Sequence, residues 1–299
     1  MGAVKNGATV KAMIALVLAT LFWAGNYVVG GIAVKSISPL DLTWLRWALA
    51  AIPLIALAHF VEKPDWRLAL RSWKRLVILA ALGVAAYVLL LYTALEYTSA
   101  LSASLINAAN PAVMAVLAAI ILRERLGWRV IAGLVLGLFG VLLVITNGAL
   151  ASLFSMRFNL GDLLMLAAIL VWSLYTIIGR KLAVPPITAT AIQVTLVAVV
   201  LAPFAIAGGV HWPTETSVAV SVIFIAIFPS IGAYVLWNLA LKQISPTSAG
   251  LYLNLITVFT VIISVALGAQ LTLPQAIGGL VVFAGVAVSS LKPRKPALA

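Results

Sequence analysis

The chain contains no cysteine, which excludes disulfides and thiolate metal sites and leaves the redox compartment open. Charge is scarce too: 9% of the 299 residues are charged, against about 25% in a soluble domain. Acid is the scarcest. The seven carboxylates are Asp41, Glu62, Asp65, Glu96, Glu124, Asp162 and Glu215, all in links or at the ends of apolar runs. The two histidines, His59 and His211, lie at run ends as well. No cluster of metal-ligating residues, GxSxG elbow, HExxH or phosphate-cradling loop is present. The reading is therefore of a non-enzyme without cofactor or metal.

What is present is apolar length: 64% of residues are hydrophobic. Ten runs approach the roughly 20 residues a spanning helix needs. They are Ala12–Val34, Pro39–Phe60, Leu76–Leu95, Thr98–Leu122, Val130–Thr146, Leu160–Arg180, Pro186–Ala207, Val218–Leu241, Pro246–Leu267 and Leu273–Leu291. The first run is too long for the core of a signal peptide and reads as an uncleaved helix. Segments of about ten residues with alternating polarity, the mark of a membrane barrel, are absent. The fold class predicted is an all-α polytopic membrane protein.

The net charge of +12 does not point to nucleic acid. With the N-terminus in the cytoplasm, sixteen of the nineteen Lys and Arg fall on the cytoplasmic side. Lys35 and Arg157 lie outside, and Arg46 lies within a run. This positive-inside bias predicts both termini in the cytoplasm.

The ten runs divide into five plus five. A shift of 146 residues lays Leu90, Ala94, Ser102 and Ala103 on identical residues Leu236, Ala240, Ser248 and Ala249. A shift of 149 lays Trp23 on Trp172 and Gly30 on Gly179. Five is odd, so the second copy enters the membrane from the opposite face. Inverted repeats around a midplane site are a common plan among secondary transporters. The predicted architecture is ten transmembrane helices as two inverted five-helix repeats, residues 1–150 and 151–299, around a central cavity. The copies diverge at Asn26 against Tyr175, Tyr92 against Asn238, Pro111 against Thr257 and Arg46 against Gln193.

Several residues carry a family resemblance. Trp23-Ala24-Gly25-Asn26-Tyr27 in the first run, Arg46 early in the second, Leu122-Arg123-Glu124-Arg125-Leu126 and then Ile131-Ala132-Gly133 resemble the EamA-type permeases of the drug/metabolite transporter superfamily. The resemblance spans nearly the whole chain, and the aromatic amino-acid exporters look most similar in length and aromatic content. Gln270 departs from the Glu often found at its place, and Gln193 from the Arg of the first copy. The resemblance implies a ten-helix bundle that moves small organic solutes across the inner membrane by alternating access. Its implied partners are a small-molecule substrate and the bilayer, with no nucleic acid and with a monomer as one option for the assembly.

Polar groups inside hydrocarbon are costly unless paired or facing water, so midspan polar and aromatic residues are the candidates for a substrate site. Trp23, Asn26 and Tyr27 share one helical face in the first run, and Trp172 and Tyr175 share one in the sixth. Tyr87 stands in the third run, Asn107 and Asn110 in the fourth. Tyr234, Trp237 and Asn238 stand in the eighth, Tyr252 and Asn254 in the ninth. Tyr92 is a weaker candidate, since it points away from Tyr87. Pro111 and Pro229 in midspan predict freed carbonyls and kinks, and Gly83, which aligns with Pro229, offers a flexible counterpart. These three are candidate hinges. Packing between helices explains any one of these residues as well as a site does.

Arg46 and Glu124 are candidate structural or gating charges. Arg46 lies about two turns from the outer end of its run, where it can bind a substrate carboxylate, snorkel outward, or pair with Asp41 or Asp162 at the outer rim; Asp41 sits on a poorly matching face, and a structural role is the favoured reading. Trp44 and Trp47 are expected in the interfacial aromatic belt with Trp66, Trp73, Trp128 and Trp212. No buried carboxylate is available to carry a coupling proton. The reading is an exporter of aromatic or other hydrophobic amino acids without carboxylate-based proton coupling. The alternatives are a proton antiporter of drugs and metabolites, or a membrane scaffold subunit without transport.

Overall fold

The computed structural model describes residues 2–98, 100–123, 126–146, 148–155, 159–267 and 272–290. These are helices joined by short links, with no strand among them. The helices are α1 (Gly2–Ala33), α2 (Pro39–Leu57), α3 (Trp66–Leu70), α4 (Trp73–Leu79), α5 (Tyr87–Tyr97), α6 (Ala100–Asn107), α7 (Asn110–Ile121) and α8 (Trp128–Ile145). They continue with α9 (Leu160–Arg180), α10 (Pro186–Ala207), α11 (Thr216–Ile225), α12 (Ala233–Ala240), α13 (Pro246–Gly250), α14 (Asn254–Ala266) and α15 (Leu273–Ser290). Three π-helical stretches extend them: π1 (Ala58–Glu62), π2 (Ala80–Ala86) and π3 (Ala226–Gly232).

Among the described residues, seven helical segments are long and apolar enough to cross a membrane: Ala8–Ala33, Pro39–Glu62, Trp73–Tyr97, Leu160–Arg180, Pro186–Ala207, Thr216–Ala240 and Pro246–Ile263. The chain is a polytopic helical membrane protein. The fourth run is not one helix. It breaks at Ala108 and Ala109, and Pro111 stands in the first turn of a new helix, α7, instead of kinking a continuous one. Proline is at home there, because its missing N–H would be unpaired in a first turn anyway.

Local signals explain several starts. Ser38 Oγ accepts the Asp41 N–H at the head of α2, and Asn159 with Asp162 forms a reciprocal cap on α9. Asp162 is thereby engaged locally and also accepts from Thr98 Oγ1 at 3.1 Å. Glu62, read from sequence as a link residue, accepts the Ile187 and Thr188 N–H groups and the Thr188 hydroxyl at 3.0, 2.7 and 2.7 Å. A carboxylate suits the unpaired N–H groups and positive dipole end of α10.

The main packing pairs join the halves: α1 with α12, α5 with α9, α2 with α10, and α8 with α15. The last is the closest. A Cβ on Gly140 would stand 2.6 Å from Gly278 O, and one on Gly133 2.8 Å from Gly285 O. Small residues give this backbone contact in lipid, where apolar burial supplies no net drive between helices. Replacing Gly140 by Val should therefore lower the unfolding temperature in detergent markedly, since overpacking costs about 1–3 kcal/mol or more. Gly127→Ala is the control. Its Cβ meets nothing within 4 Å, and it should leave the unfolding temperature unchanged.

Candidate functional site

Two π-helical stretches stand at corresponding places in the halves. Ala80–Ala86 and Ala226–Gly232 are related by the same 146-residue shift that aligns the sequence. A π turn misaligns the i to i−4 ladder and leaves carbonyls for other donors. Here aromatic side chains take them. Trp47 Nε1 donates to Val84 O at 2.9 Å, Trp23 Nε1 to Pro229 O at 3.2 Å, and the Tyr234 hydroxyl to Gly83 O. Gly83 also meets a ring: a Cβ there would stand 2.3 Å from Tyr175. Its geometry is one of close approach to that ring.

These donors belong to a cluster of seven rings, all buried but the half-buried Tyr87. Trp172 is its hub, with ring centroids 5.0 Å from Trp23, 4.8 Å from Tyr87, 5.1 Å from Tyr175, 5.6 Å from Tyr234 and 5.7 Å from Trp237. Trp47 joins through Tyr234 at 5.2 Å. Trp47 is fully buried, which corrects its expected place in the interfacial belt. Trp44 is half-buried and donates to Ala198 O at 3.0 Å. Trp73 and Trp128 do face outward, each beside a cation. Within the cluster, the Trp172 and Trp237 indole N–H groups are buried without a partner, and the nearby Tyr27 hydroxyl lies against that of Tyr87. Buried N–H donors ordinarily find a partner.

Two hydrogen bonds flank the cluster and repeat with their partners exchanged. In the first half the Tyr92 hydroxyl donates to Asn26 Oδ1 at 2.8 Å. In the second, Asn238 Nδ2 donates to the Tyr175 hydroxyl at 2.9 Å. Asn26 aligns with Tyr175 and Tyr92 with Asn238, so tyrosine and asparagine have traded helices while the bond is kept. The two lie toward opposite ends of α9. Tyr92 is near the end of α5 that abuts Gly161, and Tyr175 is near the C-terminus of α9.

The first-half bond carries a third member. Arg46 donates from Nη1 to the Tyr92 hydroxyl at 2.7 Å and from Nε to Ser230 Oγ at 2.8 Å. These partners replace the expected Asp41 or Asp162, which are engaged at helix starts. Tyr92, the weaker candidate by sequence, is fully buried and central here. In the second half Asn238 Nδ2 also donates to Thr190 Oγ1 at 3.0 Å, and Gln193 Oε1 is buried without a partner. The first-half group is buried throughout. The second-half group borders a narrow cleft lined by Tyr175, Asn238, Gln193, Arg180 and Lys242.

Asn107 and Asn110 belong to a separate polar cluster at the break in the fourth run. Asn110 Nδ2 donates to Asn107 Oδ1 at 3.3 Å, and Ser173 Oγ donates to Asn110 Oδ1 at 3.0 Å. Asn254 opens α14 after a 3₁₀ turn at Leu251–Leu253, and its Nδ2 lies against the backbone at Gly137. Tyr252 borders another pocket with Ser245, Ser248 and Met13. Glu124 and Gln270 lie outside the described residues.

The family model for EamA-like transporters matches residues 10–146 and again 159–291. The chain belongs to the EamA-like transporter family. It is 32% identical to an uncharacterized transporter of Archaeoglobus fulgidus, over 94% of this chain and 98% of that one. It is 27% identical to the uncharacterized transporter YyaM of Bacillus subtilis, covering 91% and 90%. A probable terminal-alkyne amino-acid exporter of Streptantibioticus cattleyicolor is 28% identical, with 92% of each chain covered. A solved structure, a crystal structure of a protein, shares the fold with a TM-score of 0.75 at 22% identity, covering 95% of this chain and 96% of that one. This EamA-family chain is a multi-pass membrane transporter, as the names of these relatives indicate for them.

Proposed function

We propose that the chain exports aromatic and other large apolar amino acids, and related metabolites, by alternating access. One observation carries this reading: seven packed rings centred on Trp172 stand between two pseudo-symmetric polar bonds. A substrate ring replaces a ring-to-ring contact in that cluster at little cost, since each such contact contributes about 0.5–1.5 kcal/mol beyond area burial. The unpaired Trp172 and Trp237 N–H groups supply donors for a polar head. The relative named as a probable amino-acid exporter supports the substrate class.

The same proposal takes the membrane architecture as ten crossings in two inverted repeats, residues 1–150 and 151–299, with both termini cytoplasmic in the inner membrane. The doubled family match, the matched π stretches and the charge bias support it. In that frame the Tyr92–Asn26 bond latches the outer face and the Asn238–Tyr175 bond the cytoplasmic face. Opening one while the other holds gives alternating access. Gly83, Pro229 and the break before Pro111 are the hinges. The one buried carboxylate among the described residues, Asp162, caps α9 and accepts from Thr98, and the proposed cycle uses no carboxylate-based coupling proton.

Competition binding tests the substrate class. Labelled tryptophan bound to purified protein should be displaced by phenylalanine and tryptophan at similar concentrations and by methionine at higher ones. Aspartate and lysine should displace it at least about tenfold less well, as expected where burying an unpaired charge costs 1.4 kcal/mol or more. Equal displacement by all five would refute the aromatic site.

A further inference from the structure

Arg46 brings a full positive charge into the middle of the fold. It is 1% exposed, and a guanidinium stays protonated in proteins. Its contacts are neutral. Nε and Nη1 reach two hydroxyls, Ser230 and Tyr92, and the guanidinium carbon lies 4.5 Å from the Trp47 ring and 5.6 Å from that of Tyr92. The described carboxylates are placed elsewhere. Asp41 accepts the Ser38 hydroxyl in the first turn of α2, Asp65 and Asp162 cap helix starts, Glu62 caps α10, and Glu96 and Glu215 are exposed. A buried charge is normally paired, because a lone one keeps most of its desolvation penalty.

The frame does not demand this charge. The second copy places the neutral Gln193 at the aligned position and packs all the same. The charge therefore belongs to something that one copy does and the other does not. Its place is next to the ring cluster: Trp47 touches Tyr234, which touches Trp172. Ser230, on Nε, follows Pro229, whose carbonyl holds Trp23. A guanidinium fork matches the two oxygens of a carboxylate.

We propose that Arg46 is the carboxylate-binding residue of the transport site. The substrate carboxylate replaces the Tyr92 and Ser230 hydroxyls on the guanidinium while the substrate ring seats in the cluster. Displacing Tyr92 also loosens its bond to Asn26, so anion binding releases the first-half latch and an empty carrier keeps it shut. This deepens the amino-acid reading above and rests on it for the identity of the ring-bearing substrate.

Thermal unfolding of the purified protein with three tryptophan analogues separates the parts. Indole-3-propionate, which keeps the carboxylate and lacks the amine, should raise the unfolding temperature of the wild type. Tryptamine and tryptophanamide, which lack the carboxylate, should need at least about tenfold higher concentration for the same shift, the usual worth of a charge-assisted bond. Arg46→Gln, which installs the second copy's residue, should abolish that difference, and Arg46→Lys should retain part of it. Equal stabilisation by all three analogues in the wild type overturns the proposal even if neither variant folds. So does an indole-3-propionate preference that survives Arg46→Gln. A carboxylate preference lost in Arg46→Gln, together with no tryptophan transport, upholds the anion site and refutes amino acids as the cargo.

Discussion

Replacing Trp172 by alanine is expected to reduce tryptophan transport by more than about 100-fold per molecule in the membrane. The hub ring contacts five others, and a buried Trp→Ala change costs about 3–5 kcal/mol when the site cannot collapse. Stability and transport must be read separately, so initial flux is normalised to folded protein from size-exclusion peaks. Trp172→Phe keeps one aromatic ring and drops the second, with the N–H that has no partner in the closed cluster. It should retain much of the stability and lose flux in proportion to the worth of that donor to the substrate. Flux equal to wild type in Trp172→Ala would mean that the cluster only packs helices.

The second large effect concerns the exchanged bonds. Tyr92→Phe removes the hydroxyl that links Arg46 to Asn26. Asn238→Leu removes the amide that joins Tyr175 and Thr190. Bonds between membrane helices are worth about 0.6 kcal/mol on average and up to about 1.7, and those to a charge about 1.5–3. The first change should therefore shift the conformational balance by about tenfold or more, the second by less. Because the chain has no native cysteine, single cysteines report access without background. Gly31→Cys, next in the chain to Gly30, which lies against the Tyr92 ring, should react faster with a membrane-impermeant maleimide from outside in Tyr92→Phe. Gly179→Cys, which borders the second-half cleft, should react faster from the cytoplasmic side in Asn238→Leu. Both variants exposing the same face would remove the latch assignment.

Much of this arrangement was legible in the residues, and the failures have physical causes. The alignment of Trp23 with Trp172 marked a shared face, and their rings meet at 5.0 Å. The pairing of Asn26 against Tyr175 and Tyr92 against Asn238 looked like divergence. It is an exchange that keeps one hydrogen bond, which only three-dimensional neighbours reveal. Trp47 was misplaced because a tryptophan near a span end normally marks the interface. Here it turns inward to a carbonyl freed by a π turn, and π turns have no residue signature to read. Arg46 reads from sequence as a charge that binds a substrate carboxylate, snorkels, or pairs with an acid at the outer rim. Its partners come from α5 and π3, 46 and 184 residues away in sequence, beyond any local pattern. Pro111 signalled a disturbance in the fourth run, and the choice between kink and break depended on the two preceding alanines taking a turn.

In the proposed cycle aromatic amino acids cross by way of the Trp172 cluster. Counterflow in liposomes tests it most directly. Vesicles loaded with unlabelled tryptophan should accumulate labelled tryptophan transiently, wild type far above Trp172→Ala, and to the same extent with or without an imposed pH gradient. No accumulation in the wild type would contradict the account.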